Sequence, residues 1–215
     1  MSTSIEHPEF VQHHFTDAEQ QRESAKFGMW IFLLTEVLFF GGLFCAYAIF
    51  RAWQPDMFYN AHKALNWRMG GLNTLVLITS SLTIALSIRA FQLDKIKQGI
   101  WLLWSTFILA GVFMVVKYFE YSHKFHLGQL PGKFYHYNGI EGSNPHIFFS
   151  VYFTMTGLHG LHVLIGMGLI LWLIIRASKG HFHSKYYNAV EVTGLYWHLV
   201  DMIWIYLFPL LYLIG

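Results

Sequence analysis

The sequence predicts an all-α fold, an integral membrane bundle of five transmembrane helices. Composition is the first reason, because 55% of the 215 residues are hydrophobic and 12% are charged, about half the charged share that is usual in a soluble domain. The second reason is the presence of five long apolar segments, each able as a helix to cross a hydrocarbon core about 30 Å thick. These spans are residues 27–50, 69–90, 100–118, 147–175 and 190–214.

Composition also excludes several classes of site. Cys45 is the one cysteine, so the chain has no internal disulfide and no thiolate metal cluster. The formal net charge is +2 and no run of lysine or arginine occurs, which argues against nucleic acid as a partner.

The polar residues 1–26 are predicted to form a cytoplasmic N-terminal segment, ahead of a transmembrane domain over residues 27–215. A helix can begin near Thr16, where the sequence TDAE has the form of a capping box. His13 and His14 lie side by side in this segment. Adjacent histidines on a polar segment are more often solvated than metal-bound, so we favour solvation over a metal site.

The charges around the links set the predicted orientation in the membrane. Residues 91–99 and 176–189 form short basic links, whereas residues 51–68 and 121–145 form long ones. The N-terminus and the two short links, counted with Arg89 at the end of the second span, carry eight lysines and arginines. The opposite side, counted with Lys117 at the end of the third span, carries six. We therefore expect a cytoplasmic N-terminus and, because the number of spans is odd, a C-terminus on the outside.

Glu36 lies near the middle of the first span and is its only charged residue. A carboxylate in the hydrocarbon core costs about 2–3 kcal/mol or more on insertion scales, so Glu36 needs polar neighbours. The later spans must supply them.

The second span carries Asn73, Ser80 and Ser87 at seven-residue spacing, with Thr83 between them. This spacing places them on one stripe of a helix, and small polar side chains let membrane helices approach closely. We favour helix packing as the role of this stripe.

The third span ends with Lys117, Glu120 and Lys124, spaced so that Glu120 can pair with either lysine. We expect an ion pair with a structural role at the outer membrane interface. Glu191, at the start of the fifth span, is a further charge near an interface. It lies within about 80° of the helix face that holds His198 and Asp201.

The fourth span has a polar face made of small and hydrogen-bonding side chains. Tyr152, Thr156, His159, His162 and Gly166 lie within about 120° of one another around the helix axis. We expect this face to meet other helices rather than lipid.

The polar residues of three spans are predicted to lie at one depth. Counted at about 1.5 Å per residue, Glu36 lies about 14 Å, His198 about 12 Å and His162 about 20 Å from the inner ends of their helices. Glu36, His159, His162, His198 and Asp201 are therefore predicted to form a buried polar cluster. His198 and Asp201, three residues apart, can bond directly.

Three interpretations of this cluster are open. Histidines could ligate heme, but an axial pair needs histidines that face each other across a bundle, and two on one helix do not supply it. Glu36, His159 and His162 could hold a metal ion. We favour a hydrogen-bond and ion-pair network that locks the helices and binds no metal.

Five sequence motifs lie in or beside these spans. They are GMWIFLLTEVLFF at 28–40, LNT at 72–74, KYFEY at 117–121, TGLHGLHVLIG at 156–166 and EVTGLYWHLVDMIW at 191–204. Together they resemble subunit III of the heme-copper terminal oxidases, the cytochrome c oxidase subunit III family. The likeness covers about residues 27–215. The chain is similar to the short five-helix bacterial form, whereas many members have seven helices, of which the first two form one arm around bound lipid.

This resemblance implies an accessory subunit that binds no heme or copper and is not an enzyme by itself. In the family, subunit I holds the hemes and the copper where oxygen is reduced to water with proton pumping, and subunit II receives electrons. Subunit III binds beside subunit I, supports proton uptake, binds phospholipid and protects the complex during turnover. Arg176 falls where the family has an arginine that contacts lipid phosphate, at a cytoplasmic helix end.

The resemblance also implies the partners and the location. They are subunit I, subunit II and other oxidase or supercomplex subunits, in the inner membrane of a bacterium. Glu36 within TEVLFF resembles the cytochrome c oxidases more than the quinol oxidases, so cytochrome c is the expected electron donor and quinol the alternative.

Two other functions stay open at this point. One is a self-contained proton or ion transporter with Glu36 as carrier, and the other is a heme-bearing membrane cytochrome. Five helices without inverted repeats or broken-helix signals argue against the transporter.

Overall fold

The computed structural model describes residues 15–137, 139–140, 144–184 and 186–214. The α-helices in chain order are α1 (Ala18–Trp53), α2 (Pro55–His62), α3 (Trp67–Gln92), α4 (Ile96–His126), α5 (His146–Ser178) and α6 (Asn188–Phe208). A 3₁₀ turn at Gly132–Phe134 precedes α5, and α6 continues into a π-helical segment at Pro209–Leu213. All helices except α2 are long and apolar enough to cross a membrane. The predicted all-α membrane bundle of five spans is confirmed.

The first helix begins inside the polar N-terminal segment. Asp17 caps it, because its carboxylate accepts a hydrogen bond from the backbone N–H of Gln20 at 2.7 Å. The expected start at Thr16 is two residues before the first helical residue, Ala18, and the Thr16 hydroxyl donates to the side chain of Gln20. His13 and His14 lie outside the described residues.

The short helix α2 lies in the link after the first span and was missed from the sequence. Pro55 occupies its first turn, where the absent N–H of proline has no helical partner to lose. Met57, Phe58 and Ala61 are buried. A proline followed by this apolar pattern is the signal that could have predicted α2.

The fifth span, α6, is the most enclosed. In the most apolar 18 residues of this span, 56% of the residues are buried inside the chain, against 11% in the span of α1. It contacts α1, α3 and α5, while α4 packs on α3 and α5. Gly166 permits the close approach of α5, because a Cβ at that position would stand 2.6 Å from the ring of Trp197. The outward surface of α1 is left for lipid or for partner chains.

The start of α1 and the two short links lie at the same end of the bundle. Lys26 Nζ of α1 lies 2.8 Å from Glu191 Oε2 of α6. In the link between α3 and α4, Asp94 has a φ of 55° and accepts a hydrogen bond from the Ser184 backbone N–H at 2.7 Å. Ser184 lies in the link between α5 and α6, so alternating spans return the chain to this end.

Candidate functional site

The Glu36 carboxyl meets His162 between α1 and α5. Glu36 Oε2 lies 3.0 Å from His162 Nε2, and the two side chains are 16% and 14% exposed. Phe40 packs edge-on against the imidazole, with ring centroids 5.2 Å apart. The Tyr196 hydroxyl of α6 donates to the backbone carbonyl of His162 at 2.9 Å. Three helices therefore meet at this pair.

Hydrogen-bond counting assigns one shared proton to the Glu36–His162 pair. His162 Nδ1 lies 2.8 Å from the carbonyl oxygen of Leu158, and because a carbonyl only accepts, Nδ1 carries a hydrogen. Nε2 must then either carry a second hydrogen and face a carboxylate, or accept a hydrogen from a protonated Glu36. In both arrangements one hydrogen lies between the carboxyl and the imidazole, and the contact between α1 and α5 is kept.

His159 is separate from this pair, although it lies one turn away on α5. Its side chain is fully buried, and neither ring nitrogen has a hydrogen-bond partner among the described residues. Its ring packs against Trp204 and Phe113, with centroids 5.1 and 5.5 Å apart. His159 therefore faces α4 and α6, whereas His162 faces α1.

His198 and Asp201 occupy a third place, between α3 and α6. His198 Nδ1 lies 2.6 Å from the Oγ of Ser81. Neither carboxyl oxygen of Asp201 has hydrogen-bond geometry to another described residue, and the Ser81 hydroxyl is its polar neighbour. The direct His198–Asp201 hydrogen bond that the spacing allows is therefore not formed, and His198 bonds Ser81 instead.

The predicted single cluster is thus three separate places in the bundle. Equal depth in the membrane is not sufficient to bring these residues into contact, because residues at one depth can face different helices. On α5 the three-residue step from His159 to His162 turns the side chain by about 60°, which changes the neighbouring helix. His159 consequently does not join Glu36 and His162 in a ligand set. Within the part of the chain that is described, no three His, Cys, Asp or Glu side chains could hold a metal ion together.

The predicted ion pair near the end of α4 is formed, and both of its side chains are buried within the chain. Lys117 Nζ lies 2.9 Å from Glu120 Oε2, and both residues are 5% exposed. Lys117 also donates to the hydroxyls of Tyr152 and Tyr212 at 2.9 and 3.1 Å. Tyr212 in turn donates to Glu120 Oε1 at 2.7 Å. The helix continues to His126, well past residue 118, because these partners from α5 and the π-helical segment satisfy its charges.

Lys124 lies one turn further along α4 and is 2% exposed. Its ammonium lies over the rings of Phe149 and Tyr152, at 5.7 and 5.1 Å from their centroids. These distances fall in the cation–π range. The spacing allows Glu120 to pair with Lys117 or with Lys124, and in the structure it bonds Lys117.

Glu191 and Arg176 lie at the opposite end of the bundle from Lys117. Glu191 pairs with Lys26 of α1 at 2.8 Å. Arg176 is half-buried in the last turn of α5, with its guanidinium carbon 5.2 Å from the Trp172 ring centroid. Trp172 is 44% exposed on the bundle surface, and an exposed indole beside a cation is typical of a membrane–water interface.

Several polar contacts were missed from the sequence, and they involve indole groups of α6. Trp197 Nε1 donates to Ser80 Oγ at 3.0 Å, and Trp204 Nε1 donates to Thr74 Oγ1 at 3.1 Å. Ser80 belongs to the polar stripe of α3 that was predicted to pack, and it is fully buried. Buried tryptophans need a hydrogen-bond partner, which is a usable signal, but the sequence does not say which helix supplies that partner.

Comparison with known proteins assigns the family. The family model described as cytochrome c oxidase subunit III matches residues 6–215. Cytochrome c oxidase subunit 3 of Thermostichus vulcanus is 34% identical over 192 residues, which cover 87% of this chain and 86% of that protein. Cytochrome bo(3) ubiquinol oxidase subunit 3 of Buchnera aphidicola subsp. Schizaphis graminum is 31% identical, with 92% of this chain and 97% of that protein covered.

A third relative is much longer than this chain. Heme-copper oxidase subunit I+III of Aeropyrum pernix is 27% identical over 218 residues, which cover 96% of this chain and 24% of that protein. The family match over residues 6–215 includes all five spans and the motifs that hold Glu36, His162 and Asp201. The chain belongs to the cytochrome c oxidase subunit III family.

Proposed function

We propose that this chain is the non-redox accessory subunit III of a proton-pumping heme-copper terminal oxidase of aerobic respiration. Membership of the family over residues 6–215 is the observation that carries this proposal. The hemes and the copper at which oxygen is reduced to water then belong to partner subunits. Histidine geometry supports this division, because His162 and His198 are held by Glu36 and Ser81 within the chain.

Subunit I is the main partner in this proposal. The Aeropyrum pernix relative supports it, since its name joins subunits I and III in one protein. Subunit II and other oxidase or supercomplex subunits are the further partners. The chain is then a multi-pass protein of a bacterial inner membrane, with its N-terminus cytoplasmic and its C-terminus outside. The greater density of lysine and arginine in the two short links, which lie on the same side as the N-terminus, supports this orientation.

The Glu36–His162 pair is proposed to support proton uptake by subunit I, not to catalyse a reaction. The hydrogen-bonded carboxyl and imidazole are 16% and 14% exposed, so the pair reaches the surface of the bundle, where a neighbouring subunit could contact it. The same pair joins α1 to α5. Its two effects are to lock these helices together and to modulate the proton pathway of the neighbour.

Arg176 is proposed to bind a phospholipid head group. Its guanidinium beside the exposed Trp172 combines a permanent positive charge with an interfacial ring. Arg176→Ala should lower the anionic or zwitterionic phospholipid that the purified complex retains, as measured by mass spectrometry. Arg176→Lys keeps the charge and serves as the matched control, with retention between the other two. Equal lipid content in all three proteins would refute this role.

For the electron donor we propose cytochrome c, with quinol as the alternative. The TEVLFF sequence around Glu36 supports cytochrome c. Similarity to the Buchnera aphidicola ubiquinol oxidase subunit supports the alternative. Oxidation rates of reduced cytochrome c and of a quinol by the purified complex distinguish the two.

The proposed function is tested by purifying the tagged chain from its native membrane in a mild detergent. We expect a heme-bearing subunit to co-purify and to appear in the reduced-minus-oxidised spectrum. The chain separated from the complex should show no Soret band. A Soret band on the separated chain would indicate a membrane cytochrome, and recovery of the chain alone would favour a self-contained proton or ion transporter.

A further inference from the structure

A groove of about 470 Å³, the α3–α6 groove, opens on the bundle surface between these two helices. Its walls are apolar and consist of Ile78 and Leu82 of α3 with Met202 and Ile205 of α6. These four side chains are between 46% and 58% exposed. They belong to the membrane-spanning parts of α3 and α6, so a ligand of the groove enters it from within the bilayer.

The floor of the α3–α6 groove is polar. Ser81, His198 and Asp201 complete its lining. Asp201 is 2% exposed, and neither of its carboxyl oxygens has a hydrogen-bond partner in the described part of the chain. A buried carboxyl group without a partner is costly, so an ionisable side chain inside a membrane points to a functional site. An apolar entrance thus leads to a carboxyl group whose hydrogen-bonding capacity is left for a ligand.

The imidazole of His198 is able to accept or to donate a hydrogen bond in the groove. Its Nδ1 lies 2.6 Å from Oγ of Ser81. When Nδ1–H donates to the serine oxygen, the neutral ring has no hydrogen on Nε2, and Nε2 is an acceptor. When the serine hydroxyl donates to Nδ1, Nε2 carries the hydrogen and is a donor. In both tautomers the described hydrogen bond uses Nδ1 and leaves Nε2 for a ligand.

Depth in the membrane restricts the ligands that reach this floor. Asp201 lies at the middle of the span Asn188–Leu213, about 18–20 Å from either end at about 1.5 Å per residue. Phospholipid head groups are charged and stay in the interfacial regions, outside a hydrocarbon core about 30 Å thick. Acyl chains reach this depth but neither donate nor accept hydrogen bonds. The ligand must therefore be apolar enough to enter the bilayer and must carry an uncharged polar group.

Isoprenoid quinones have the chemistry that these conditions define. Their head group is an uncharged ring with two oxygens, joined to an apolar tail. The two hydroxyl groups of a quinol donate hydrogen bonds, one to Nε2 of His198 and one to a carboxyl oxygen of Asp201. A carbonyl oxygen of the oxidised quinone accepts from Nε2 in the other tautomer. Ligand pockets usually enclose about 300–1,000 Å³, so a groove of about 470 Å³ is large enough for one such ring.

A second groove, of about 540 Å³ between α4 and α5, provides the contrast. Lys117, Tyr121 and Thr156 line it, and each is already hydrogen-bonded within the chain. Its apolar walls include Leu161 and Leu164. Acyl chains can fill this groove without leaving those three polar groups unsatisfied, so it serves as the control surface.

We propose that the α3–α6 groove binds the head group of an isoprenoid quinone or quinol, with the ring held by His198 and Asp201 and the tail against the apolar walls. The two side chains bind and orient the ring and take no part in its oxidation. Ser81 acts through His198, because its hydroxyl sets which nitrogen of the imidazole carries the hydrogen. This site goes beyond the proposed function and does not depend on which electron donor the complex uses.

Photoaffinity labelling of the wild-type chain in its purified complex tests the position of the site. The probes are an azidobenzoquinone and an azidonaphthoquinone, each with a short isoprenoid tail, and the one that labels identifies the ring class. Label is expected on the peptides that hold Leu82 and Met202, and an excess of the same quinone without the azide should remove it. Label at Leu161 or Leu164 alone, no label on the chain, or label that the excess does not remove would overturn the proposal.

Substitutions at the floor test the polar contacts. His198→Phe and Asp201→Leu keep the approximate size of each side chain and remove one hydrogen bond to the ring, so each should weaken quinone binding about tenfold. Asp201→Asn keeps an acceptor oxygen and should bind more tightly than Asp201→Leu. Tyr121→Phe in the other groove is the matched control and should bind as the wild type does. Equal affinity in all of these proteins, measured by displacement of a labelled quinone, would refute the proposal.

A protein helix that fills the groove is the opposing result, and crosslinking in the intact complex detects it. A photoreactive residue replaces Leu82 or Met202, which are 58% and 53% exposed, or replaces Leu161 or Leu164 as matched controls, which are each 51% exposed. Adducts with an added quinone are expected from the first two positions and not from the controls. Adducts of the first two positions with another protein chain would show that the groove is occupied by protein, and they would overturn the proposal.

Discussion

Replacement of Glu36 by glutamine or by alanine tests the hydrogen-bond count at the Glu36–His162 pair. A glutamine amide can donate to Nε2 of a neutral His162, so it keeps the 3.0 Å contact and removes the titratable proton. Alanine removes the partner altogether. It leaves Nε2 of a side chain that is 14% exposed without a hydrogen bond.

The two substitutions should differ in their effect on stability. A buried polar atom left without its partner costs about 1–3 kcal/mol, so Glu36→Ala should lower the free energy of unfolding by about 2 kcal/mol. Glu36→Gln keeps a donor in place and should cost less than about 1 kcal/mol. Leu34→Ala, on the same helix and 59% exposed in the wild type, is the control for truncation without loss of a polar contact.

Thermal unfolding of the purified complex and the subunit ratio after detergent washing measure these effects. Under the proposed role, Glu36→Gln retains this subunit and slows proton uptake during turnover. Loss of the subunit from the Glu36→Gln complex to the same extent as from Glu36→Ala would refute the reasoning. Glu36 would then be required as a structural charge, and its proton would not be the functional feature.

Two further predictions concern charges elsewhere in the bundle. Glu120→Gln leaves the buried Lys117 ammonium without its counter-charge, so the stability loss should reach about 3–5 kcal/mol. Adding Lys117→Met should recover much of it in a double-mutant cycle measured by thermal unfolding, and additive losses would contradict a coupled pair. In the short links, hydrogen bonds from the Ser184 hydroxyl and backbone N–H lower the pKa of Asp94. Because its pKa is lower in the folded chain, the contact contributes fully above about pH 4 and is lost as the pH falls through the folded value. Hydrogen exchange at the Ser184 amide should therefore accelerate in acid relative to Asp94→Asn, which keeps an acceptor but does not titrate. Identical pH dependence in the two proteins would show that Asp94 ionisation does not hold the link.

The helices that could be predicted are those whose signal is local. A long apolar run is enough to identify a span, whereas the eight residues of α2 are too few to give such a run. The end of α4 was placed too early because Lys117 and Glu120 look like the edge of a membrane segment. In the folded chain Tyr152 and Tyr212 satisfy both charges, so the helix continues through them.

The sequence by itself determined the fold class, the family and the face of each helix on which polar residues lie. Those properties depend on composition, on motif spacing and on the 3.6-residue period, which are all present in one stretch of chain. The tertiary structure alone decided the pairs: Glu36 with His162, His198 with Ser81, and His159 with aromatic rings. A contact between helices depends on the rotation and position of both of them. Residues predicted at one depth therefore separated into three places, and the polar groove between α3 and α6 became visible only in the folded chain.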